Sequence, residues 1–558
     1  MRHPAHQLCA LILLGIAVGQ VGCSSLRICR PRPLHQVCRL SFSCASPNLA
    51  QADSLAAAGD ERCVDAYYQV CANSWQSLTE QPNCKTAQTE YNSAVSKLLY
   101  AGCRYRRLDP ARGLKVCSDE GSFVVPINYQ GFTWDITDFE RLHPPPTQHE
   151  SLLTRYYARG GTGLPIVVER TRRSFDQLES RFAPERSYFA ATVVLKFNPS
   201  VADYSGSPQA ADCAELTFYN PSQTSHVRTA TCEQPLAYDL TAPLALTLQS
   251  VPRTYFAGFI EPGGTTISHR LNFLEPYQPG KIPVVLIHGL FSDPQSWADM
   301  INDLRSAPGF LDRYQLWVFR YPTGQGFLRS ATALRMELRA AIDALDPEQQ
   351  DPALRHMVLV GHSMGGLIAK LQVTHSEELL WNELANRPLE TIVTTDRTRK
   401  IMAENSYFDP SPYVDRVIFI AAPHRGALNS SELMGRGAAL LVETSPEQAE
   451  MHEQLMRDNP NTFNPLIERR MPTSIDMLSS RSPLLDIMRK MKLKPGIKLH
   501  NIIGCANPIS LDGPSDGVVS VHSASHPGCL SVIAFNAHHS YVHRSLTAST
   551  EVLRILRE

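Results

Sequence analysis

Ser363 is the side chain of this sequence whose surroundings best suit a nucleophile. It stands in the run Gly-His-Ser-Met-Gly at positions 361–365, which follows the apolar residues 357–360 and precedes apolar residues at helical spacing. This is the pattern G-x-S-x-G, in which a sharp turn between a strand and a helix exposes the serine hydroxyl above a sheet edge. Glycine at both flanking positions leaves room for the backbone to fold back on itself. The sequence therefore predicts that Ser363 attacks a carbonyl carbon.

Attack on a carbonyl carbon also needs backbone N–H groups that stabilise negative charge on the carbonyl oxygen. Residues 282–287 form a continuous apolar run, typical of a strand buried on both faces, and lead into His-Gly at 288–289. A loop at this point can aim amides at the oxygen, and each such donor contributes roughly 3–4 kcal/mol to transition-state stabilisation. The predicted oxyanion hole consists of the amides of Met364 and Leu290, with Phe291 as an alternative to Leu290.

These groups can meet only if a sheet brings the ends of several strands together. Beyond the run at 282–287, strand-like apolar segments alternate with segments of helical periodicity, and this alternation favours a parallel sheet. The strand-like segments cover residues 314–321, 416–421, 496–504 and 530–535, and a clear helical pattern covers 330–345. The predicted fold class of this part of the chain is α/β, with a mostly parallel central sheet.

Residues 276–558 resemble the α/β-hydrolase superfamily, in particular its lipase and esterase-like branch. The stretches that carry the resemblance are VVLIHGLFSDPQSW, LVGHSMGG, VIFIAAPHRG, SDGVVSVHSA and EVLRIL. The resemblance covers about half of the chain and implies an α/β-hydrolase fold with a serine-hydrolase mechanism. It implies neither a metal nor an organic cofactor, and it does not identify a substrate.

In this superfamily the acid of the triad follows the serine and precedes the histidine. The strand at 496–504 leads into a polar loop, in which Asp516 of the segment Ser-Asp-Gly-Val-Val matches the acid position of similar hydrolases. Asp512 lies in the same loop and is the alternative. Asp415 precedes the strand at 416–421 and is not expected to take part, because it lies at the wrong edge of the sheet.

The base of the triad is expected in the loop between the last strand and the last helix. Residues 536–543 read Asn-Ala-His-His-Ser-Tyr-Val-His and follow the strand at 530–535. His539, followed by a serine, best resembles the histidine step of the family. His538 is the second candidate and His543 the third.

Two connections in the hydrolase-like part are longer than ordinary loops. Residues 372–415 separate the helix after Ser363 from the next strand, and residues 428–494 separate that strand from the one that leads to Asp516. Both contain apolar and charged residues at helical spacing. Long insertions at this edge usually cover the pocket, so both are predicted to act as lids.

Residues 1–22 are predicted to be a removable export signal. Arg2 precedes an apolar run at 8–18, which is shorter than the roughly 20 residues that span a bilayer. The junction Val-Gly-Cys-Ser-Ser at 21–25 resembles a bacterial lipoprotein signal, which implies lipid attachment at Cys23. Gln20 departs from that pattern, so ordinary signal cleavage is the alternative. The predicted location is the cell envelope, anchored by lipid to a bacterial membrane and facing the periplasm or the exterior.

The cysteines suit an oxidising compartment. The sequence has 14 cysteines, and eight of them crowd residues 29–117. Four others form two local pairs, Cys213 with Cys232 and Cys505 with Cys529, and each pair is a disulfide candidate. A bridge between Cys505 and Cys529 would restrain the loop of Asp516. No metal site is predicted, because the cysteine spacings are wrong for zinc.

The residues before the hydrolase-like part are predicted to form two domains. Residues 23–120 combine helical periodicity with cysteines and predict a small helical module held by disulfides. Residues 121–275 are β-rich, with apolar or alternating segments between turn residues, as in the strands of a sandwich. The predicted strands include 188–197, 214–219 and 244–248. The catalytic domain then spans residues 276–558.

The charge balance excludes one class of partner. The chain carries 53 basic and 54 acidic residues, a net charge of −1, whereas a nucleic-acid-binding protein has a basic footprint. A nucleic-acid partner is therefore not expected.

Together, the motifs, the resemblance and the N-terminal signal predict an exported serine hydrolase that cleaves carboxylic esters of lipids or small molecules. An acyltransferase or amidase could use the same triad. A cell-envelope binding protein with an inert hydrolase fold is the alternative from a different class.

Overall fold

The computed structural model describes twelve stretches of the chain. They are residues 26–27, 47–81, 84–118, 121–147, 150–173, 176–197, 214–229, 232–250, 269–427, 446–469, 472–508 and 512–558. The predicted signal at 1–22, the lipidation candidate Cys23 and the disulfide candidate Cys213 lie outside these stretches. None of the described helices is both long and apolar enough to cross a membrane.

A seven-stranded sheet forms the centre of the C-terminal part. Its strands are β14 (Arg270–Phe273), β15 (Ile282–Ile287), β16 (Tyr314–Arg320), β17 (Met357–His362), β18 (Val414–Ile420), β19 (Lys498–Gly504) and β20 (Ser531–Phe535). They lie in the order β14-β16-β15-β17-β18-β19-β20. Only β14 pairs antiparallel with its neighbour, and the other six strands are parallel. From β17 onward the strands lie side by side in chain order, so their carboxyl ends meet at one edge.

Helices cover both faces of this sheet, so its central strands are buried on both sides. The helices of the hydrolase part outside the two insertions are α6 (Ala298–Ser306), α7 (Phe310–Arg313), α8 (Phe327–Leu345), α9 (Met364–Lys370), α16 (Val521–Ala524) and α17 (Leu546–Arg557). Apolar side chains of α6 and α17 share one hydrophobic cluster with the sheet. Those of α8 and α9 share a second cluster with it. The predicted α/β architecture with a mostly parallel sheet is confirmed.

Both predicted insertions contain helices. They are α10 (Leu379–Leu384), α11 (Asp396–Ser406), α12 (Pro446–Asp458), α13 (Pro465–Arg469), α14 (Ser474–Leu478) and α15 (Pro483–Lys490). Trp381 and Phe463, one from each insertion, belong to one small hydrophobic cluster. Leu478, Leu484 and Met488 pack instead into the core beside the sheet. The two insertions therefore form one layer over this side of the domain.

The N-terminal part begins with three helices, α1 (Leu49–Ala57), α2 (Cys63–Glu80) and α3 (Lys85–Arg104). Cys63, Cys71, Cys84 and Cys117, four cysteines of the predicted disulfide-held module, are free thiols. Cys71 is fully buried, and burial raises the pKa of its thiol well above the usual value. At this position the cysteine fills the core as a small apolar side chain rather than bridging two segments.

The described strands of the N-terminal part are β1 (Leu26–Arg27), β2 (Leu108–Asp109), β3 (Gly113–Ser118), β4 (Gly121–Val125), β5 (Ile127–Gln130), β6 (Arg141–His143), β7 (Ala158–Arg159), β8 (Leu164–Thr171), β9 (Arg186–Phe197), β10 (Ala214–Tyr219), β11 (His226–Arg228), β12 (Glu233–Pro235) and β13 (Tyr238–Asp239). Six of them form the main sheet, in the order β1-β6-β8-β9-β10-β5. Strands β2, β3 and β4 form a smaller sheet, and two short strand pairs complete the region. The helix α4 (Gln177–Phe182) lies between β8 and β9.

The predicted β-rich region is present, and its main sheet packs against helices. Residues of α2, α3, β9 and β10 belong to one hydrophobic cluster. The Tyr91 hydroxyl of α3 donates to the Leu195 carbonyl of β9 at 2.8 Å. The strand predicted at 244–248 is wrong, since these residues lie in the helix α5 (Ala242–Ser250). Asp239 accepts hydrogen bonds from the first amides of that helix and starts it.

The predicted disulfide between Cys505 and Cys529 is wrong as well, and both residues are free thiols. Strands β19 and β20 are parallel neighbours, with His500 opposite Ser531. Cys505 follows the end of β19, whereas Cys529 precedes the start of β20, so the two lie at opposite edges of the sheet. Their offset is about seven residues, or roughly 20 Å along the strand direction. A disulfide requires Cα atoms within about 7 Å of each other.

Candidate active site

Ser363 occupies a strained turn between β17 and α9. Its backbone has φ 54° and ψ −124°, a conformation that costs a non-glycine residue roughly 1–3 kcal/mol. Two hydrogen bonds hold the turn: Ser363 donates its amide to the Ile420 carbonyl of β18 at 2.8 Å, and Gly366 donates to the Ser363 carbonyl at 2.9 Å. The side chain of Ser363 therefore stands at the carboxyl edge of the sheet.

The glycines around Ser363 are required by close backbone contacts. A Cβ atom at Gly365 would lie 2.2 Å from the Ile287 carbonyl oxygen of β15. A Cβ at Gly361 would lie 2.4 Å from the Gly365 carbonyl oxygen across the turn. Both distances are shorter than van der Waals contact, so any larger side chain would push the helix away from the sheet. These contacts explain why the pattern has glycine on both sides of the serine.

His539 lies between Ser363 and Asp516. Its Nε2 is 2.9 Å from the Ser363 Oγ, and its Nδ1 is 2.7 Å from the Asp516 Oδ2. A carboxylate accepts, so Nδ1 carries the proton and Nε2 can accept the serine hydroxyl proton. The structure thus brings together the three side chains predicted to act as nucleophile, base and acid. Ser363 and Asp516 are buried, and His539 is half-buried.

Asp516 is held by its own loop. Its Oδ1 accepts hydrogen bonds from the amides of Val518 at 2.9 Å and Val519 at 2.7 Å, which leaves Oδ2 for the histidine. His539 also donates its backbone amide to the Asp516 carbonyl at 2.9 Å. Asp512, the alternative acid, is exposed and accepts a hydrogen bond from the Ser520 hydroxyl instead. The carboxylate in contact with His539 is therefore that of Asp516.

The other histidines of the predicted base loop lie elsewhere. His538 is exposed, and His543 is buried with its ring stacked on His362 at a centroid distance of 3.9 Å. His362, which precedes the nucleophile, donates from Nε2 to the backbone carbonyl of His539 at 3.0 Å. The sequence reasoning missed this contact. A histidine at the first variable position of the G-x-S-x-G pattern is the signal that could have suggested it.

Three buried imidazoles surround the contact between Ser363 and His539. Burial lowers the pKa of His288 to about 4 and that of His543 to about 3, and it holds the pKa of His362 well below its usual value. All three rings are therefore neutral at pH 7.

The predicted oxyanion donors lie on two segments beside Ser363. Met364 begins α9, where the first amides have no carbonyl partner within the helix. The loop of Leu290 also passes close, since a Cβ at Gly289 would lie 3.0 Å from the Ser363 Cβ. Phe291, the alternative donor, bends the loop with φ 55°. The Tyr321 hydroxyl donates to the His288 carbonyl at 2.6 Å and fixes the start of this loop.

Nothing among the described residues suggests a metal centre. No group of three or more His, Cys, Asp and Glu side chains in that part of the chain could hold a metal ion. The site at this edge brings together a hydroxyl, an imidazole, a carboxylate and backbone amides. Such a set can transfer an acyl group by proton transfer and covalent attack.

The strand order, the turn at Ser363 and the helices on both faces define the C-terminal part as an α/β-hydrolase fold. Residues 284–539, slightly under half of the chain, match the alpha/beta hydrolase family. This part of the chain is therefore an α/β-hydrolase domain, as its motifs predicted. No curated protein matches the sequence.

Solved structures of lipases and esterases cover about the same half of the chain. A lipase of Bacillus licheniformis in its mature form has 16% identity and a TM-score of 0.31, covering 51% of this chain and 97% of its own. An esterase of Exiguobacterium antarcticum has 13% identity and a TM-score of 0.29, covering 52% and 97%. A carboxylesterase structure from Nitrososphaera gargenis has 12% identity and a TM-score of 0.28, covering 53% and 96%. At these values the likeness adds no argument to the strand order and the family match.

Proposed function

We propose that the protein is an exported serine hydrolase that cleaves carboxylic ester bonds through an acyl-enzyme on Ser363. The observation that carries the proposal is the pair of contacts of His539, 2.9 Å to the serine hydroxyl and 2.7 Å to the Asp516 carboxylate. These side chains lie 176 and 23 residues from His539 in the sequence, so no local structure requires them to meet. Their convergence in a Ser-His-Asp arrangement supports nucleophilic catalysis.

The proposed reaction has two steps. In the first, the Ser363 Oγ attacks the ester carbonyl carbon while its proton moves to His539 Nε2, and the proton then passes to the leaving alkoxide as the C–O bond breaks. In the second, His539 takes a proton from water and the hydroxide oxygen attacks the acyl carbon. The bond between the acyl carbon and Ser363 Oγ then breaks as the proton passes from His539 to that oxygen, which releases a carboxylic acid. Asp516 fixes the tautomer of the neutral His539 imidazole and stabilises the imidazolium that forms in both steps.

In this proposal the backbone amides of Leu290 and Met364 donate hydrogen bonds that stabilise the negative charge on the carbonyl oxygen. Loss of one such donor typically reduces the rate by about 100- to 1000-fold. The Met364 amide is also at the first turn of α9, where the helix dipole favours negative charge. The segment of Met364 begins at the strained backbone of Ser363, and the segment of Leu290 passes close to the Ser363 side chain at Gly289. Both donor segments therefore lie beside the nucleophile.

The proposed substrates are esters with an apolar acyl group, from small molecules or lipids. The layer formed by the insertions contributes apolar side chains, among them Leu478 and Met488, to the same cluster as Met364. An apolar acyl chain is compatible with such surroundings because its transfer from water is favourable. We also assign export to the N-terminal signal, with Cys23 as the lipid-bearing residue.

The test begins with a fluorophosphonate probe, which phosphonylates an activated serine. We expect the purified wild type to be labelled and Ser363→Ala not to be labelled, with the same far-ultraviolet circular dichroism. Ser376→Ala, a buried serine outside the site, is the matched control and should be labelled like the wild type. A folded but unlabelled wild type would support the inert binding protein instead.

Hydrolysis of 4-nitrophenyl esters from acetate to palmitate would then define the acyl preference. An anilide with the same acyl group separates esterase from amidase activity, and added alcohol acceptors reveal acyl transfer as new ester products. We expect ester hydrolysis to exceed both. Lipid attachment is tested separately by metabolic labelling with palmitate in a bacterial host, where Cys23→Ser should abolish incorporation.

A further inference from the structure

Residues 152–157 of the N-terminal part reach the elements that hold His539. This stretch, here termed the clamp segment, precedes β7 and contacts two elements of the hydrolase domain. One is α6, and the other is the short 3-10 helix His539–Arg544, which follows β20. His539 is the first residue of that short helix and Arg544 is its last, so whatever fixes Arg544 also restrains His539.

Six hydrogen bonds attach the clamp segment to α6. Thr154 donates both its amide and its hydroxyl to Asp299 Oδ1, at 2.8 and 2.9 Å. Arg155 donates from Nε and Nη2 to the two oxygens of Asp303, at 2.8 and 2.7 Å. The Tyr157 hydroxyl donates to Asp303 at 2.8 Å, and Asn302 of α6 donates to the Arg155 carbonyl at 2.8 Å. The bidentate contact of Arg155 fixes orientation as well as distance.

Four further contacts join the clamp segment and α6 to the short helix, and one of them is the hydrogen bond from Arg544 Nε to Asp299 Oδ2 at 3.2 Å. Arg155 Nη2 donates to the Arg544 carbonyl at 2.9 Å. In return, Arg544 Nη2 donates to the Leu152 carbonyl at 3.1 Å and to Asp299 Oδ2 at 3.1 Å. Arg155 therefore links the carboxylate of α6 directly to the end of the helix that starts at His539.

The network pairs two buried carboxylates with two half-buried arginines, so its charges balance. Asp299 and Asp303 are buried on α6, and Arg155 and Arg544 are the cations that contact them. A buried ion pair is weak evidence for a gain in stability, because desolvation offsets the attraction. Its geometry is nevertheless specific, since each hydrogen bond allows only a narrow range of positions.

We propose that the clamp segment positions His539 for proton transfer, with Arg155 as the positioning residue that acts through Arg544. This inference rests on the proposed function of Ser363 and His539. In this proposal the N-terminal part has a role in the reaction, because its clamp segment contacts the short helix that begins at His539. A displacement of about 1 Å between reacting groups can reduce a rate by on the order of 100-fold.

The test is Arg155→Lys in the full chain. Lysine keeps the charge opposite Asp303 but cannot make the forked contact and the bond to the Arg544 carbonyl together. We expect kcat to fall at least about tenfold with KM within twofold of the wild type, because substrate contacts are unchanged. Tyr157→Phe removes one hydroxyl and serves if the first variant does not fold, with an expected kcat loss of about threefold.

Arg170→Lys is the matched control. Arg170 is more buried than Arg155 and likewise makes a forked contact, with Glu179, but its contacts lie within the N-terminal part. It should leave kcat unchanged, while thermal unfolding shows whether both variants lose similar stability. An unchanged kcat in folded Arg155→Lys, or an equal loss in Arg170→Lys, overturns the inference.

The two proposals fail in different ways. If the wild type neither hydrolyses esters nor reacts with the fluorophosphonate at Ser363, the proposed function fails. If the wild type does both and Arg155→Lys matches it in kcat, only the role of the clamp segment fails. The double variant Arg155→Lys/Arg544→Lys adds a check, since residues that act through one path should show less than additive losses.

Discussion

A fall in pH from 7 to 5 should destabilise the fold, because His288 and His543 are buried as neutral imidazoles. Burial lowers the pKa of His288 to about 4 and that of His543 to about 3, whereas an imidazole in the unfolded chain has a pKa of about 6.5. The unfolded chain therefore binds protons that the folded chain excludes. Stability is complete above about pH 6.5 and decreases as the pH falls toward the folded-state values.

The magnitude follows from this linkage. At pH 5 an unfolded imidazole is almost fully protonated, and this protonation stabilises the unfolded chain by about 2 kcal/mol per histidine. At pH 7 the same effect is only about 0.2 kcal/mol. His288 and His543 together should therefore reduce the free energy of unfolding by about 4 kcal/mol between pH 7 and pH 5.

Urea unfolding at several pH values, followed by tryptophan fluorescence, measures this loss. The Trp297 ring lies edge-on to the His543 ring at a centroid distance of 5.1 Å, so its fluorescence reports on the surroundings of His543. His543→Phe keeps a flat ring in the stack but removes one titrating group, so its loss between pH 7 and pH 5 should be smaller by about 2 kcal/mol. His522→Phe is the matched control, because that ring is exposed. Equal pH dependence in the wild type and His543→Phe would refute the reasoning.

Three further predictions concern the site and its frame. Asp516→Asn should lower kcat by roughly 10⁴-fold without unfolding the protein, since an amide holds the wrong tautomer of His539, and steady-state kinetics with circular dichroism tests this. Gly365→Ala should give little soluble protein or a melting temperature lower by at least about 5 °C, because its Cβ would lie 2.2 Å from the Ile287 carbonyl oxygen. Alkylation of the denatured, unreduced protein should modify both Cys505 and Cys529, and a recovered peptide pair joined by a disulfide would contradict the strand register.

The sequence could predict the nucleophile turn because the pattern is local. The apolar strand, the flanking glycines and the following helix all lie within about 15 residues of Ser363. Asp516 and His539 were predicted as residues that follow successive strands, and the structure brings both to Ser363 because β17, β18, β19 and β20 pair in chain order. The α/β-hydrolase fold was predictable for the same reason.

Two of the failures depend on contacts between distant segments, and the third concerns a short apolar run whose own residues do not distinguish a helix from a strand. Cys505 and Cys529 are close in sequence, but a parallel crossover places them at opposite edges of the sheet. The helix α5 was read as a strand because a short apolar run has no clear period, and only the cap at Asp239 distinguishes it. The contact of His362 with the His539 carbonyl spans 177 residues, so the histidine in the G-x-S-x-G pattern can suggest a role for His362 but does not identify its partner.

The separation of Ser363 from His539 has a consequence for biosynthesis. Ribosomes add about 5–20 residues per second, so the 176 residues between the two take roughly 9 to 35 seconds to make. Throughout that interval a nascent polypeptide carries the Ser363 hydroxyl without His539, so the proposed Ser-His-Asp arrangement can form only after β20 and the loop that follows it have been made.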